Sequence, residues 1–401
     1  MPDQLPLAKK RIPCRFTGAA FSHPWFFAAV TIAAVLVLPL AGLKLGGVAI
    51  SPYLTFPPAP PPVALAPFSP LLFGVAILLL GAALWFLHAR GVIKSLYIPV
   101  LDTPRARLPG WGFAAIGFLF LSWIASWTRL EALRAIQPHT FTPLWLGFIF
   151  SVSAGTICIT GTALVLEQPR RFALLFPVSA VFWWCYEYLN RFVQNWIYSG
   201  VEYGPLGYFL AATIPFSTVL PAVTVVSEFL AALGIFASYR NGRRVAFLFR
   251  RTFALSAVML AVASLLLLAL LPNVLYPAVW LAPLAIVFGI GVLSGREPSF
   301  SEVKEGDWRN VLTWGASACV CGFFWEMWNY FSLARWSYRI PYLGGAKIFE
   351  MPLLGYLGYI PFGWICAAAS LAIIGARSWP YRNSEPVKGG SSSRLGTAEA
   401  L

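Results

Sequence analysis

Charge is what this chain has least of. Only 11% of its 401 residues are Asp, Glu, Lys or Arg, against about 25% in a soluble domain, so it lacks the means to cover itself with a hydrated surface. Aspartate occurs only at Asp3, Asp102 and Asp307, and histidine only at His23, His88 and His139. No aspartate-rich pair is available for magnesium, and three such scattered histidines do not suggest a metal centre. The cysteines, Cys14, Cys158, Cys185, Cys319, Cys321 and Cys366, show no C-x-x-C spacing, which speaks against a zinc site and a disulfide framework alike. Phosphate loops of the G-x-x-x-x-G-K-[ST] type, G-x-G-x-x-G turns and H-E-x-x-H helices are missing too. No cofactor and no metal are expected, and magnesium-dependent prenyl transfer is disfavoured.

What the chain has instead is apolar surface: 59% of residues are hydrophobic. Runs of roughly 20 apolar residues, the length that crosses a bilayer, fall near 24–43, 68–88, 110–128, 143–165, 172–190, 211–237, 252–271, 274–294, 310–330 and 351–376. An all-α, polytopic transmembrane bundle of about ten spans is the expected fold. The first run, preceded by Lys9, Lys10, Arg11 and Arg15, is too long for a signal-peptide core and reads as an uncleaved anchor helix. With an even number of spans both termini share a side, and 22 of the 29 Lys and Arg residues fall on it. By the positive-inside rule that side is cytoplasmic. The net charge of +14 is thereby explained by loops, with no nucleic-acid partner implied.

The chain divides into four parts. Residues 1–109 form a two-helix segment whose connector, SPYLTFPPAPPPVALAPFSP (51–70), is proline-rich and uncharged, and is expected to run as a polyproline-like exoplasmic strap. Residues 110–237 and 238–376 line up as tandem parallel four-helix repeats. FWWCYEYLNRF (182–192) answers to FFWEMWNYF (323–331), and NWIY (195–198) to RWSY (335–338). Residues 377–401 make a polar tail expected to be disordered.

Each copy sets an acid and an amide three residues apart, on one helix face: Glu187 with Asn190 and Arg191, Glu326 with Asn329. Intramembrane acids are candidates for function, so Glu326, Glu350 and Glu187 are the candidate catalytic groups. Asn329, Arg335, Arg339, Asn190, Arg191, Tyr338 and Trp336 are the candidate substrate contacts. The arginines and Lys347 are expected to partner either the glutamates or an anionic headgroup. An equally weighted alternative is structural, with Trp183, Trp184, Tyr186, Trp325, Trp328 and Trp336 as an ordinary interfacial belt and the asparagines fastening helices. After each stripe, 201–216 and 340–362 carry enough Gly and Pro to break a helix, and read as a re-entrant lid or an interfacial connector. Glu228, well inside span six, is expected to meet a basic residue from another helix.

The strings EYLNRFVQNWIY (187–198), WEMWNY (325–330) and KIFEMPLLGYLGYIPF (347–362) resemble an uncharacterised family of bacterial multi-pass membrane proteins over much of residues 140 to 376. The resemblance implies a bacterial inner-membrane location and no activity. At the level of tandem helical units with intramembrane glutamates, the chain is vaguely similar to membrane carotenoid cyclases and hydratases, although their P-x-E-E motif is absent. The leading expectation is a metal-independent lipid- or isoprenoid-modifying enzyme, with Glu326 as acid or base. A secondary transporter or flippase using Glu187 and Glu326, and a non-catalytic membrane scaffold, are the alternatives.

Overall fold

The computed structural model describes residues 24–94, 96 and 106–375; expectations for the basic N-terminal segment and for the tail concern residues outside that set. Helices α1 (Pro24–Leu45) and α2 (Pro70–Ala89) come first. Then follow α3 (Gly110–Trp127), α4 (Phe141–Thr160), the single turn α5 (Leu164–Glu167) and α6 (Pro169–Val193). A short strand β1 (Trp196–Ser199) leads into α7 (Pro205–Phe216), α8 (Val219–Leu233), α9 (Arg251–Leu267), α10 (Pro272–Leu275), α11 (Ala278–Leu293) and α12 (Arg309–Tyr330). Strands β2 (Arg335–Tyr338), β3 (Lys347–Ile348) and β4 (Met351–Pro352) precede the last helix, α13 (Tyr359–Ile374).

Among the described residues seven helices are long and apolar enough to cross a membrane, counting α7 with α8 as one and the turn at Leu353 with α13. Three of the ten expected spans lie outside this set. Helices α9 and α11 are apolar but only 17 and 16 residues long. Helix α12 has the length, at 22 residues, but spends positions on Arg309, Asn310, Glu326 and Asn329, all turned into the protein.

The expectation that Gly and Pro break the chain across 201–216 is corrected: Pro205 to Phe216 is a regular helix. Pro205 occupies its first turn, where a missing N–H costs nothing, and Pro215 falls in the last turn. The second such stretch, 340–362, does stay irregular up to Tyr359, with a two-residue β3–β4 hairpin and a 3-10 segment.

Helix α3 lies on α4, α9 on α11, and α12 on α13, while α8 is wedged against α4, α6 and α12. Helix α2 buries none of its residues. The core is aromatic to an unusual degree: Trp145, Trp314 and Trp328 are at most 1% exposed, and Trp145 meets Trp325 and Trp328 with ring centroids 5.0 and 5.2 Å apart. Tyr186, Trp325 and Trp328, read as part of an interfacial belt, are therefore interior residues.

The proline-rich segment has one 3-10 turn, Ser51–Leu54, and then no regular structure until α2, because its prolines cannot donate to a ladder. Side-chain amides hold it down instead. Gln194 accepts from Val63 N at 3.0 Å and donates to Pro61 O at 2.7 Å, and Asn273 does the same for Ala66 and Ala64 at 2.8 and 3.0 Å. Arg191 donates to Tyr53 O at 2.7 Å. The strap is thus tied to the end of α6 and to α10.

Helix contacts are set by glycine at backbone distance. A Cβ on Gly363 would stand 2.2 Å from the Trp314 carbonyl oxygen, whereas one on Gly74 would meet nothing within 4 Å. Gly363→Ala should therefore cost about 1–3 kcal/mol by overpacking, and Gly74→Ala should be neutral or slightly stabilising. Thermal unfolding of the detergent-solubilised variants checks this; equal midpoints would contradict the close α12–α13 approach.

Candidate functional site

Each glutamate stands seven residues or fewer from the end of its helix, and the chain beyond turns back over it. The turn-back is fixed by the asparagine one helical turn later. Asn190 accepts from Asn195 N and Trp196 N at 2.8 and 3.3 Å and donates to Trp196 O at 2.8 Å. Asn329 accepts from Trp336 N and donates to Trp336 O, both at 2.8 Å. Each amide thus substitutes for a strand partner, and both hold the N–H and carbonyl of a tryptophan, Trp196 and Trp336, across loops that differ in length by one residue.

Clamped this way, β1 and β2 pair antiparallel, with Trp196 opposite Tyr338, Ile197 opposite Ser337 and Tyr198 opposite Trp336. The register is reciprocal, Trp against Tyr on both sides. Asn195 O extends the ladder by accepting from Arg339 N at 2.8 Å. At the turn end Gly200 sits at φ +95 with space for a Cβ only 1.9 Å from Leu333 O, a place no other residue fits.

The strands deliver hydrogen-bond donors to the glutamates. Glu187 Oε1 accepts from Tyr198 Oη at 2.5 Å, Trp183 Nε1 at 2.9 Å and Trp196 Nε1 at 3.0 Å. Glu326 Oε1 accepts from Tyr338 Oη at 2.7 Å and Tyr359 Oη at 2.8 Å, and Trp336 Nε1 donates to Tyr338 Oη at 2.9 Å. Glu326 is 0% exposed, and its Oε2 has no hydrogen-bond partner among the described residues. Burial beside this carboxyl holds the Tyr338 phenol well above its usual pKa, so it stays protonated and donates.

Between the two clusters lies a cavity of about 530 Å³. Trp183, Trp196 and Tyr198 wall it from one side, and Trp325, Trp336, Tyr338 and Tyr359 from the other, with Trp280, Phe362 and Arg335 also contributing. Both stripes therefore serve one chamber. Neither carboxylate lines it; each stands behind the Tyr and Trp donors that do.

The other expected residues are placed around this chamber or away from it. Arg335 is exposed and lines the cavity. Arg339 is exposed and reaches the site only through its backbone N–H. Glu350 pairs with Lys347 at 3.7 Å beside the β3–β4 turn, away from the lining. The expectation that basic side chains partner the glutamates is corrected: no Lys or Arg is ion-paired with Glu187 or Glu326 among the described residues. Arg191 is occupied with the proline-rich strap and Lys347 with Glu350. Among the described residues Glu228 likewise meets no base; it accepts from Leu164 N at 2.8 Å, capping α5. Among the described residues no three His, Cys, Asp or Glu side chains gather as metal ligands.

Sequence reading missed Trp183, Trp196, Tyr198 and Tyr359 as the donors. The signal was present in the matched W-x-Y of NWIY and RWSY, where alternation along a strand puts Trp and Tyr on one face. No family model, no curated protein and no solved structure matches the chain.

Asn329→Ala would strand the N–H and carbonyl of the half-buried Trp336, a loss of at most about 1–3 kcal/mol for each group. The variant should unfold at a lower temperature and exchange the Trp336 amide faster than wild type. Unchanged exchange at Trp336 would rule out the clamp.

Proposed function

We propose that the chain is a multi-pass membrane enzyme that modifies a lipid or isoprenoid held in the aromatic cavity, and that its chemistry is proton transfer through Tyr359 to Glu326. The observation that carries this reading is the Tyr359–Glu326 pair: a phenol on the cavity wall donating to a fully buried carboxyl at 2.8 Å. Tyr338 Oη already accepts from Trp336 and donates to Glu326, which leaves Tyr359 Oη the better-placed acceptor for a substrate proton. In the step, a substrate O–H or activated C–H gives its proton to Tyr359 Oη as the Tyr359 proton moves to Glu326 Oε1. The electron pair remains on the substrate, and Glu326 ends protonated. The predominantly apolar lining suits a hydrocarbon, and Arg335 at the wall would take an anionic headgroup.

The same reading has ten spans in a bacterial inner membrane, with both termini cytoplasmic and the site toward the exoplasmic face. It takes α3, α4, α6 and α8 as one copy of a unit repeated in α9, α11, α12 and α13. Support comes from the packing, in which α3 on α4 answers to α9 on α11, and α6 on α8 to α12 on α13. The two asparagine clamps and the reciprocal strand register add to it.

A transporter or flippase is the second reading, favoured by a chamber that lies between two similarly bonded halves, the arrangement of parallel-repeat carriers. The experiments separate the two. For the enzyme, a deletion strain changes one lipid species, wild type restores it, and Glu326→Gln or Tyr359→Phe lowers the restored turnover about 10²–10⁴-fold, the usual worth of a general acid or base. An unchanged lipidome, or full restoration by both variants, would sink the enzyme reading. Proton-gradient-dependent movement of a lipid in proteoliposomes, lost in Glu326→Gln with no chemical change in the lipid, would establish the transporter in its place.

A further inference from the structure

A second cavity, of about 690 Å³, lies between α1, α6, α11 and α13. It is separate from the aromatic chamber, and its occupancy does not depend on the function assigned to that chamber. Its size falls within the ~300–1,000 Å³ range of small-molecule sites. It is long: on α6 alone the lining runs from Leu174 to Leu189, roughly 22 Å at the helical rise. Nearly all of that length is aliphatic or aromatic.

Its unpartnered polar groups sit at the two ends. Near the start of α6 are Asn310 and Glu302, where Asn310 Nδ2 donates to Glu302 Oε1 at 3.4 Å. That bond turns the amide oxygen away, and both Asn310 Oδ1 and Glu302 Oε2 are buried without a partner among the described residues. Asn310 is 8% exposed. Both free atoms are acceptors, and a ligand group that satisfies them must be a donor. At the far end, twelve residue steps along α6, the Tyr186 hydroxyl is a donor with no acceptor among the described residues, on a residue 2% exposed. Its ring stacks on Trp280 at 5.0 Å and meets Phe362 at 5.8 Å, both walls of the first chamber, so Tyr186 is the partition between the two spaces.

We propose that this cavity binds a long-chain unsaturated alcohol. The hydroxyl donates to Asn310 Oδ1 or Glu302 Oε2, the hydrocarbon fills the slot, and chain double bonds supply the weak π acceptor that the buried Tyr186 hydroxyl lacks. A fatty-acid carboxylate is disfavoured, since it would bring acceptors to acceptors, although Arg296 lies at that end with its guanidinium over Phe27 at 5.1 Å.

The test uses the full chain purified in detergent, with geranylgeraniol, hexadecanol and palmitate as probes and native mass spectrometry reading occupancy. Geranylgeraniol should bind more tightly than palmitate, and Asn310→Leu should weaken it about tenfold, the worth of one lost hydrogen bond to a buried group. Tyr186→Phe should remove the preference for geranylgeraniol over hexadecanol. Because Asn310→Leu alters a buried position, Ala369→Phe, which fills the slot from α13, provides a second route and should also abolish binding. Ala212→Phe, in the first chamber, should leave it intact. The proposal is overturned if palmitate binds as tightly as the alcohol, or if Asn310→Leu and Ala369→Phe both bind like wild type. It is equally overturned if occupancy appears only after residues 1–23 are removed, since the chain itself would then be the occupant.

Discussion

A carboxylate inside an apolar bundle, with no cation to pair with, has to be met by hydrogen-bond donors, and much of the site's architecture derives from that demand. Left unsatisfied, each acceptor would cost about 1–3 kcal/mol, and more if charged. Helices cannot supply the donors from their own backbones, which are already bonded. Three of the five donors come from the segments just beyond each helix, folded back so that Tyr198 and Trp196 reach Glu187 and Tyr338 reaches Glu326, while the side chains of Trp183 and Tyr359 reach in from α6 and α13. Folding back exposes strand edges, and each edge is satisfied by the other, which accounts for the β1–β2 ribbon in a largely helical protein.

The same demand builds the cavity. Tyr and Trp are the neutral donors that carry a large apolar face, so using them as donors to a carboxyl sets aromatic walls around the space in front of it. The polar atoms are spent on the carboxylates, and the rings are left to face the void. The asparagines keep the ribbon at the right height, and on the strap side Arg191, Gln194 and Asn273 hold a segment whose prolines would otherwise leave it unattached. Arg191 and Lys347, which charge counting assigns to the glutamates, serve other contacts, and neutral donors satisfy a buried carboxyl without the cost of desolvating a second charge.

Much of this is legible in the sequence. Apolar run lengths locate most of the helices, and the acid–amide spacing identifies the two helix ends that matter. The proline-rich strap is irregular, as its composition predicts. What stays hidden is pairing across the chain. No local rule says that Tyr359, 33 residues after Glu326, is its donor, nor that Arg191 faces a loop 138 residues earlier. The hydropathy of α12 is lowered by residues that face protein rather than lipid, and periodicity alone does not distinguish the two surroundings. Pro205 and Pro215 mislead for the opposite reason: a breaker is harmless at a helix end, and where the ends fall depends on packing.

The two clusters are not chemically equivalent, and the difference traces to one position. Four residues before Glu187 stands Trp183, whose indole donates to it from the same helix face. Four residues before Glu326 stands Gly322, where even a Cβ would lie 2.4 Å from the Tyr359 ring. Removing the side chain there takes away the local indole donor and opens the space through which Tyr359 arrives from α13. A fixed N–H donor is thereby replaced by a hydroxyl, which both gives and accepts a proton. Glu187 gathers three donors on one oxygen, a closed arrangement suited to holding a ribbon in place. Glu326 receives two hydroxyls on one oxygen, the feature on which the proposed proton transfer rests. On the reading proposed above, Glu326 with Tyr359 carries the chemistry and Glu187 with its three donors holds the ribbon.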